Sequence, residues 1–347
     1  MLPRRSFLGL LGAGAAGLLA GRVRAQGPAT MTAYPLSDHY DGRTFRNPRN
    51  HVDRSWADVM RWKLKARPEP WPDTVPVTPV APARGPLAVT AVGHASLVVD
   101  MGGTVLLTDP VWSNRVSPVS WAGPRRVQAP GVPLERLPRV GAVLLSHDHY
   151  DHCDLPTLRR LAAGGVPRVI TPLANGDLLL DAGFAREAIT ELDWWQETSL
   201  PGGLSVTLTP AQHWSNRASG RRNGRLWGGF FVRSSERSFF FAGDTATHDE
   251  LFLGIHQRLG PPDLAALPIG AYEPQWFMSG QHCNPAEAVQ IHHLLRAKAS
   301  IGVHWGTFQL TDEGREAPVR ALAAACETRK VSPMAFVALS AGSSLQV

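Results

Sequence analysis

One stretch constrains this chain more than any other: Leu144-Leu145-Ser146-His147-Asp148-His149-Tyr150-Asp151-His152. An apolar, β-type run ends in four side chains able to ligate a metal, spaced His-x-His-x-Asp-His. On a tight turn at a strand end, this spacing turns His147 and His149 to one side. Asp151 and His152 then reach a second point a few ångströms away. Zinc accepts imidazole nitrogen and carboxylate oxygen, and a catalytic site leaves one position open. Four ligands so close in sequence enclose a single tetrahedral ion poorly. The turn therefore predicts two adjacent ions that share further, distant ligands.

The distant ligands follow from one rule, a His or Asp directly after an apolar strand. Val206 to Pro210 leads to His213, Phe239 to Gly243 leads to Asp244, and Ile301 to Val303 leads to His304. Gly243 and Gly306 let backbone approach the site. Short β-prone runs recur from Leu87 onward: 88–92, 96–99, 105–108, 142–145, 168–171, 205–209, 229–233, 238–242, 264–269, 301–303 and 335–339. Helical patterns fall at 155–163, 285–298 and 318–328, with Asn284 as a cap and Pro285 at the first helical position. The mixture predicts an α/β (α+β) layered fold over residues 87–347.

Further stretches carry a resemblance: Val92-Gly93-His94-Ala95-Ser96, Thr108-Asp109-Pro110, Gln212-His213-Trp214, Gly270-Ala271-Tyr272-Glu273-Pro274-Gln275-Trp276-Phe277-Met278, Gln281-His282 and His304-Trp305-Gly306-Thr307-Phe308. With the His-x-His-x-Asp-His turn, they resemble the metallo-β-lactamase superfamily of binuclear zinc hydrolases. Within it they are most similar to the N-acyl-phosphatidylethanolamine-hydrolysing phospholipase D family and its bacterial relatives. The resemblance implies a four-layer αββα sandwich and two zinc ions per chain. It assigns His147, His149 and His213 to the first ion, Asp151, His152 and His304 to the second, and Asp244 as the bridge, with a hydroxide between the metals as nucleophile. It implies cleavage of a phospholipid to phosphatidic acid and an N-acylethanolamine. His282 is nominated to orient the phosphate or protonate the leaving group. Tyr272, Trp276, Phe277 and Met278 are candidates for an acyl-chain groove, with a core cluster as the competing reading. The resemblance also suggests a homodimer.

His94 follows a strand and could line the cavity, although a core position is the expectation for it. Asp109 either orients a ligand histidine or caps a turn. The same metal site would also serve a lactone, thioester or other carbonyl hydrolase, or a noncatalytic zinc-binding envelope protein. Asp151, standing where a β-lactamase uses a cysteine-type ligand, disfavours a true β-lactamase.

Residues 1–25 read as a twin-arginine-type signal peptide: Arg4-Arg5-Ser6-Phe7-Leu8, an apolar Gly9 to Ala20, and Val23-Arg24-Ala25 as the cut site. A mature protein beginning near Gln26 in a bacterial periplasm is expected. The formal net charge is +6, and Arg4, Arg5, Arg22 and Arg24 supply four of those charges. The +2 that remains, with no long basic tract, argues against a nucleic-acid partner. Residues 26–86 form a proline-rich extension. Within it, Asp53 to Ala66 reads as an amphipathic helix whose Trp56, Val59, Met60 and Leu64 form one face. That face is expected to pack on the catalytic domain, with contact to a membrane surface as the alternative.

Overall fold

The β-prone runs assemble into two seven-stranded sheets in the computed structural model, which describes residues 34–48, 52–218 and 220–347. The proposed signal peptide lies outside the described residues. The first sheet contains β1 (Ala88–Gly93), β2 (Ser96–Met101), β3 (Thr104–Thr108), β4 (Ala142–Leu144), β5 (Val169–Pro172), β6 (Ile189–Leu192) and β14 (Ser344–Gln346), in the order β14-β1-β2-β3-β4-β5-β6. The second contains β7 (Glu197–Leu200), β8 (Leu204–Thr209), β9 (Gly229–Arg233), β10 (Ser238–Phe241), β11 (Leu264–Pro268), β12 (Ala299–Val303) and β13 (Phe336–Ala338), in the order β13-β12-β11-β10-β9-β8-β7.

Each sheet is antiparallel in one half and parallel in the other. The β3/β4, β4/β5 and β5/β6 pairs are parallel, as are β10/β11, β11/β12 and β12/β13. Parallel neighbours need crossover connections, and helices supply most of them. They are α2 (Leu155–Ala163) and α3 (Gly176–Asp181) in the first half, then α4 (Asp249–Leu259), α6 (Pro285–Leu295) and α7 (Ala317–Thr328) in the second. Leu158, Leu161, Leu178 and Leu179 bury the first pair of helices against the first sheet. Phe252, Ile255, Val289, Ile291 and Leu322 do the same on the second. β1, β2 and β11 are buried along their whole length, as strands covered on both faces must be. Phe230, Phe231, Phe239, Phe240 and Phe241 are fully buried, each contributing about 1.5–3 kcal/mol. This is the αββα sandwich of the metallo-β-lactamase fold.

Helix α6 begins at the expected Asn284 and Pro285, where a capping box with Glu287 satisfies the first amides. The strands β6, β7 and β14 and the helices α3, α4 and α5 (Gln275–Met278) were not expected from the sequence. β7 and β14 are edge strands with mostly exposed or half-buried side chains, so they lack an apolar signature.

Helix α1 (Trp56–Lys65) forms where expected, capped by Ser55 and Asp58, but it presents a different face. Trp62 is its buried residue and packs with Val59 and Ala66 against Phe277 and Met278. Trp56 and Leu64, expected on the packing face, are 71% and 76% exposed. Trp62 also donates its indole N–H to Asp312 Oδ2 at 3.1 Å. Trp71 donates to the Glu313 carbonyl, and the Glu69 amide to the Asp312 carbonyl. Residues Leu36–Val347 thus pack as one unit. Among the described residues no helix is long and apolar enough to cross a membrane.

Candidate metal centre

All seven nominated ligands meet at one edge of the sandwich, each just beyond the C-terminal end of a strand: the 147–152 turn after β4, His213 after β8, Asp244 after β10 and His304 after β12. Strand ends of this kind leave a crevice that helices and neighbouring strands do not fill. The backbone there is specialised. His94, Asp109 and His304 hold φ of 58°, 33° and 63°, values that non-glycine residues adopt at a cost. Gly243 has φ 60°, and a Cβ there would come within 2.8 Å of Ser146 Cβ, so only glycine admits Asp244 this close to the turn.

Asp244 Oδ2 is the centre of the cluster. It stands 3.1 Å from His152 Nε2, 3.2 Å from His304 Nε2, 3.7 Å from His213 Nε2 and 3.9 Å from His147 Nε2. His149 Nδ1 lies 2.9 Å from His147 Nε2 and 3.3 Å from His213 Nε2. Asp151 Oδ2 lies 3.3 Å from His304 Nε2 and 3.4 Å from His152 Nε2. Among the described residues four overlapping groups are tight enough to hold a metal ion; the two largest are His147, His149, His213 and Asp244, and next to it His94, Asp151, His152 and His304.

His94 is the residue whose role the sequence understated. Its Nε2 is 3.0 Å from Asp151 Oδ2 and its ring lies 4.0 Å from that of His304, so it lines the centre rather than the core. The strand-end rule that found His213 and His304 also applies to it. His282 reaches the same place. Its Nδ1 is 3.9 Å from Asp244 Oδ2, and burial lowers its pKa to about 4, so at neutral pH it is an uncharged imidazole.

Outer partners set which nitrogen of each ring faces inward. His152 Nδ1 donates to Asp109 Oδ2 at 2.7 Å, and His213 Nδ1 donates to the Gln281 carbonyl at 2.8 Å. Ser146 Oγ donates to Asp109 Oδ2 at 2.6 Å, so it accepts from His147 Nδ1 at 2.9 Å. Each of these rings thereby turns Nε2 toward Asp244. Asp109 is an orienting residue, not a turn cap. Asn47, in the N-terminal extension, donates to the His213 carbonyl at 2.8 Å, a contact the sequence analysis did not assign.

The chemistry of this donor set fits a metal. Asp244 Oδ1 is buried within it without a hydrogen-bond partner, a costly arrangement unless a cation takes its lone pair. Burial opposes the charge on Asp244, yet His152 and His304 hold its carboxyl well below the usual range. Burial likewise disfavours His152 as a cation, but Asp244, Asp151 and Asp109 raise its pKa well above the ordinary value. A metal ion would replace that proton. By contrast, burial lowers His147 and His213 well below the usual imidazole range, leaving them neutral and ready to ligate.

The proposed acyl-groove residues do not gather into one free surface. Phe277 and Met278 are buried under α1, and Tyr272 is also buried. Trp276 is 41% exposed, with the Arg61 guanidinium 4.9 Å from its ring.

Fold and site together define a class. The Beta-lactamase superfamily domain matches residues 104–305, and the chain belongs to that family. It is similar to N-acyl-phosphatidylethanolamine-hydrolyzing phospholipase D 1 of Caenorhabditis elegans, with 42% identity over 232 residues, covering 65% of each chain. The chain thus spans a little under two thirds of that relative's length. It is 30% identical over 227 residues to a metal-dependent hydrolase of Pyrobaculum arsenaticum, covering 65% of this chain and 86% of that one. Among solved structures, the isothiocyanate hydrolase from Delia radicum gut bacteria shares the fold, with a TM-score of 0.58, 21% identity and coverage of 75% and 99%. The chain thus has the metallo-β-lactamase fold and carries a cluster of residues able to hold metal at its edge.

Proposed function

We propose that this protein is a binuclear zinc phosphodiesterase of the phospholipase D type, acting on N-acyl-phosphatidylethanolamine-like lipids. The observation that carries the reading is Asp244 Oδ2, within 4 Å of histidines from both candidate groups. The identity to the nematode phospholipase D supports the substrate class. In this reading His147, His149 and His213 would hold one ion, Asp151, His152 and His304 the other, and Asp244 would be shared between them. Two zinc ions supply Lewis acidity that offsets charge on a phosphoryl oxygen and make water acidic enough to ionise near neutral pH.

The chain's own residues prepare that chemistry. Asp109, Ser146 and Gln281 lock three imidazoles with Nε2 inward, so no ring has to turn when substrate arrives. His282, neutral and beside Asp244, can still donate one N–H, which suits it to orient the phosphate or the departing head-group oxygen. Hydrolysis breaks the phosphorus–oxygen bond to the head group and leaves phosphatidic acid and an N-acylethanolamine. Trp56 and Leu64 stand exposed on α1, whose last turn carries Lys63 and Lys65. That pattern supports peripheral contact with an anionic lipid surface. Residues 1–25 support export to the periplasm, which mass spectrometry of the mature N-terminus would test.

The deciding experiment gives zinc-loaded protein four substrates: an N-acyl-phosphatidylethanolamine, ordinary phosphatidylethanolamine, a homoserine lactone and a cephalosporin. Phosphatidic acid from the first is expected, with about two zinc ions per chain by elemental analysis. Turnover of the lactone alone would replace this reading with a carbonyl hydrolase.

A further inference from the structure

We propose that Arg217 is a positioning residue for the metal centre, clamping the ligand-bearing turn 147–153 to the loop that carries His213. The inference rests on the reading of His147, His149, Asp151, His152 and His213 as metal ligands, and adds a residue outside that set.

The turn has little internal bonding of its own. The amides of His152 and Cys153 both donate to the His149 carbonyl. The carbonyls of Asp148 and Cys153, at either end of the turn, accept instead from one atom, Arg217 Nη1, at 2.8 and 3.0 Å. A single guanidinium nitrogen, with its two hydrogens, therefore fixes the span of segment 148–153, which carries three candidate ligands and directly follows the fourth, His147. The guanidinium also lies 4.1 Å from the centre of the Tyr150 ring, and the Tyr150 hydroxyl accepts from the Ala218 amide at 3.2 Å. Arg217 is only 6% exposed, so its bonds to the two carbonyls are made away from water.

A second arm runs in parallel. The Asn216 amide donates to Asp148 Oδ1 at 2.9 Å, and Arg225 stands 3.4 Å from Asp148 Oδ2 while pairing with Asp177 at 2.7 Å. Ser215 Oγ donates to the Arg225 carbonyl at 2.6 Å. Loop 213–225 thus begins with one imidazole of the first group and grips the turn bearing the other two. A displacement of either segment drags the other, which holds the three rings at a fixed separation before any ion binds.

The geometry requires arginine. A lysine ammonium keeps the charge but has neither the planar face that lies on Tyr150 nor the rigid fork that bridges two carbonyls. Outer partners of metal ligands typically alter affinity by about 10- to 100-fold when changed. Arg217→Lys should weaken zinc binding by that factor.

The test uses the full chain, stripped of metal, with zinc affinity read by competition against a chromophoric chelator and melting temperature read on the metal-free protein. Leu322→Ala, in the helix core of α7, is the comparison, since it lowers stability without touching the turn. The expected result is a 10- to 100-fold weaker zinc affinity in Arg217→Lys, with Leu322→Ala within about twofold of the parent. Tyr150→Leu, which removes the ring beneath the guanidinium, should weaken zinc binding in the same direction and serves if Arg217→Lys does not fold. Parent-like zinc affinity in the folded clamp variant, whatever its melting temperature, would overturn the clamp while leaving the metal centre standing. A parent protein that takes up no zinc would overturn the metal centre and the clamp with it.

Discussion

Replacing Asp109 by asparagine tests how the centre is oriented. The carboxylate receives three buried donors: the Ser146 amide on Oδ1 at 2.7 Å, and both Ser146 Oγ at 2.6 Å and His152 Nδ1 at 2.7 Å on Oδ2. A carboxamide has one acceptor oxygen. If that oxygen takes the Oδ2 position, the new NH2 faces the Ser146 amide, donor against donor. If it takes the Oδ1 position, the NH2 faces both the Ser146 hydroxyl and His152 Nδ1. Either way at least one buried donor is orphaned, costing about 1–3 kcal/mol of stability. In the second arrangement His152 escapes the clash by moving its proton to Nε2, the nitrogen that should face the metal. Zinc affinity at the second group should then fall by about 10- to 100-fold, or roughly 1.4–2.7 kcal/mol. The assays are denaturant unfolding of the metal-free protein, chelator competition, and nitrogen-15 NMR of the His152 tautomer in both proteins. An Asp109→Asn protein with parent-like stability and two zinc ions held at parent affinity would refute the argument.

Asp244→Ala removes the oxygen shared by both groups, so bound zinc should drop toward zero and turnover by about 10³-fold or more, measured by elemental analysis and lipid hydrolysis; retained activity would move the site elsewhere. Trp62→Ala empties the contact between α1 and Phe277 and should cost about 3 kcal/mol in urea unfolding, with a loss under about 1 kcal/mol showing that the extension adds little. His39, between Asp38 at 2.7 Å and Asp193 at 2.8 Å, has its pKa raised: burial alone would lower it, but the two carboxylates outweigh burial. Its contribution to stability is therefore complete below about pH 6.5 and is lost as pH rises through the folded-state value. The stability gap between the parent and His39→Gln should narrow with rising pH, and a gap that widens would contradict the sign.

What the sequence revealed and what it hid differ in range. His147, His149, Asp151 and His152 were legible because their spacing is local, and His213, Asp244 and His304 because each ends an apolar strand. His94 obeys the same rule, but no neighbour in sequence says that it meets His304 and Asp151. The face of α1 was misread because Trp56 and Trp62 lie about 120° apart around the helix, and hydropathy weights them alike. Phe277 and Met278 decide between them, and they lie more than two hundred residues away. The same pairing covers two residues expected to form a lipid groove. Asn47 and Arg217 act on backbone carbonyls, a kind of partner that leaves no trace in side-chain pattern.

Strand β14 lies beside β1, and Thr90 and Ser344 share a hydrogen bond across 254 residues. On a ribosome, the rim of the first sheet therefore stays open until translation has passed residue 346. During that interval β1 offers an unpaired row of amides and carbonyls, a template for stray association. The pairing edge at Ala88 to Thr90 is therefore among the last parts of the first sheet to close.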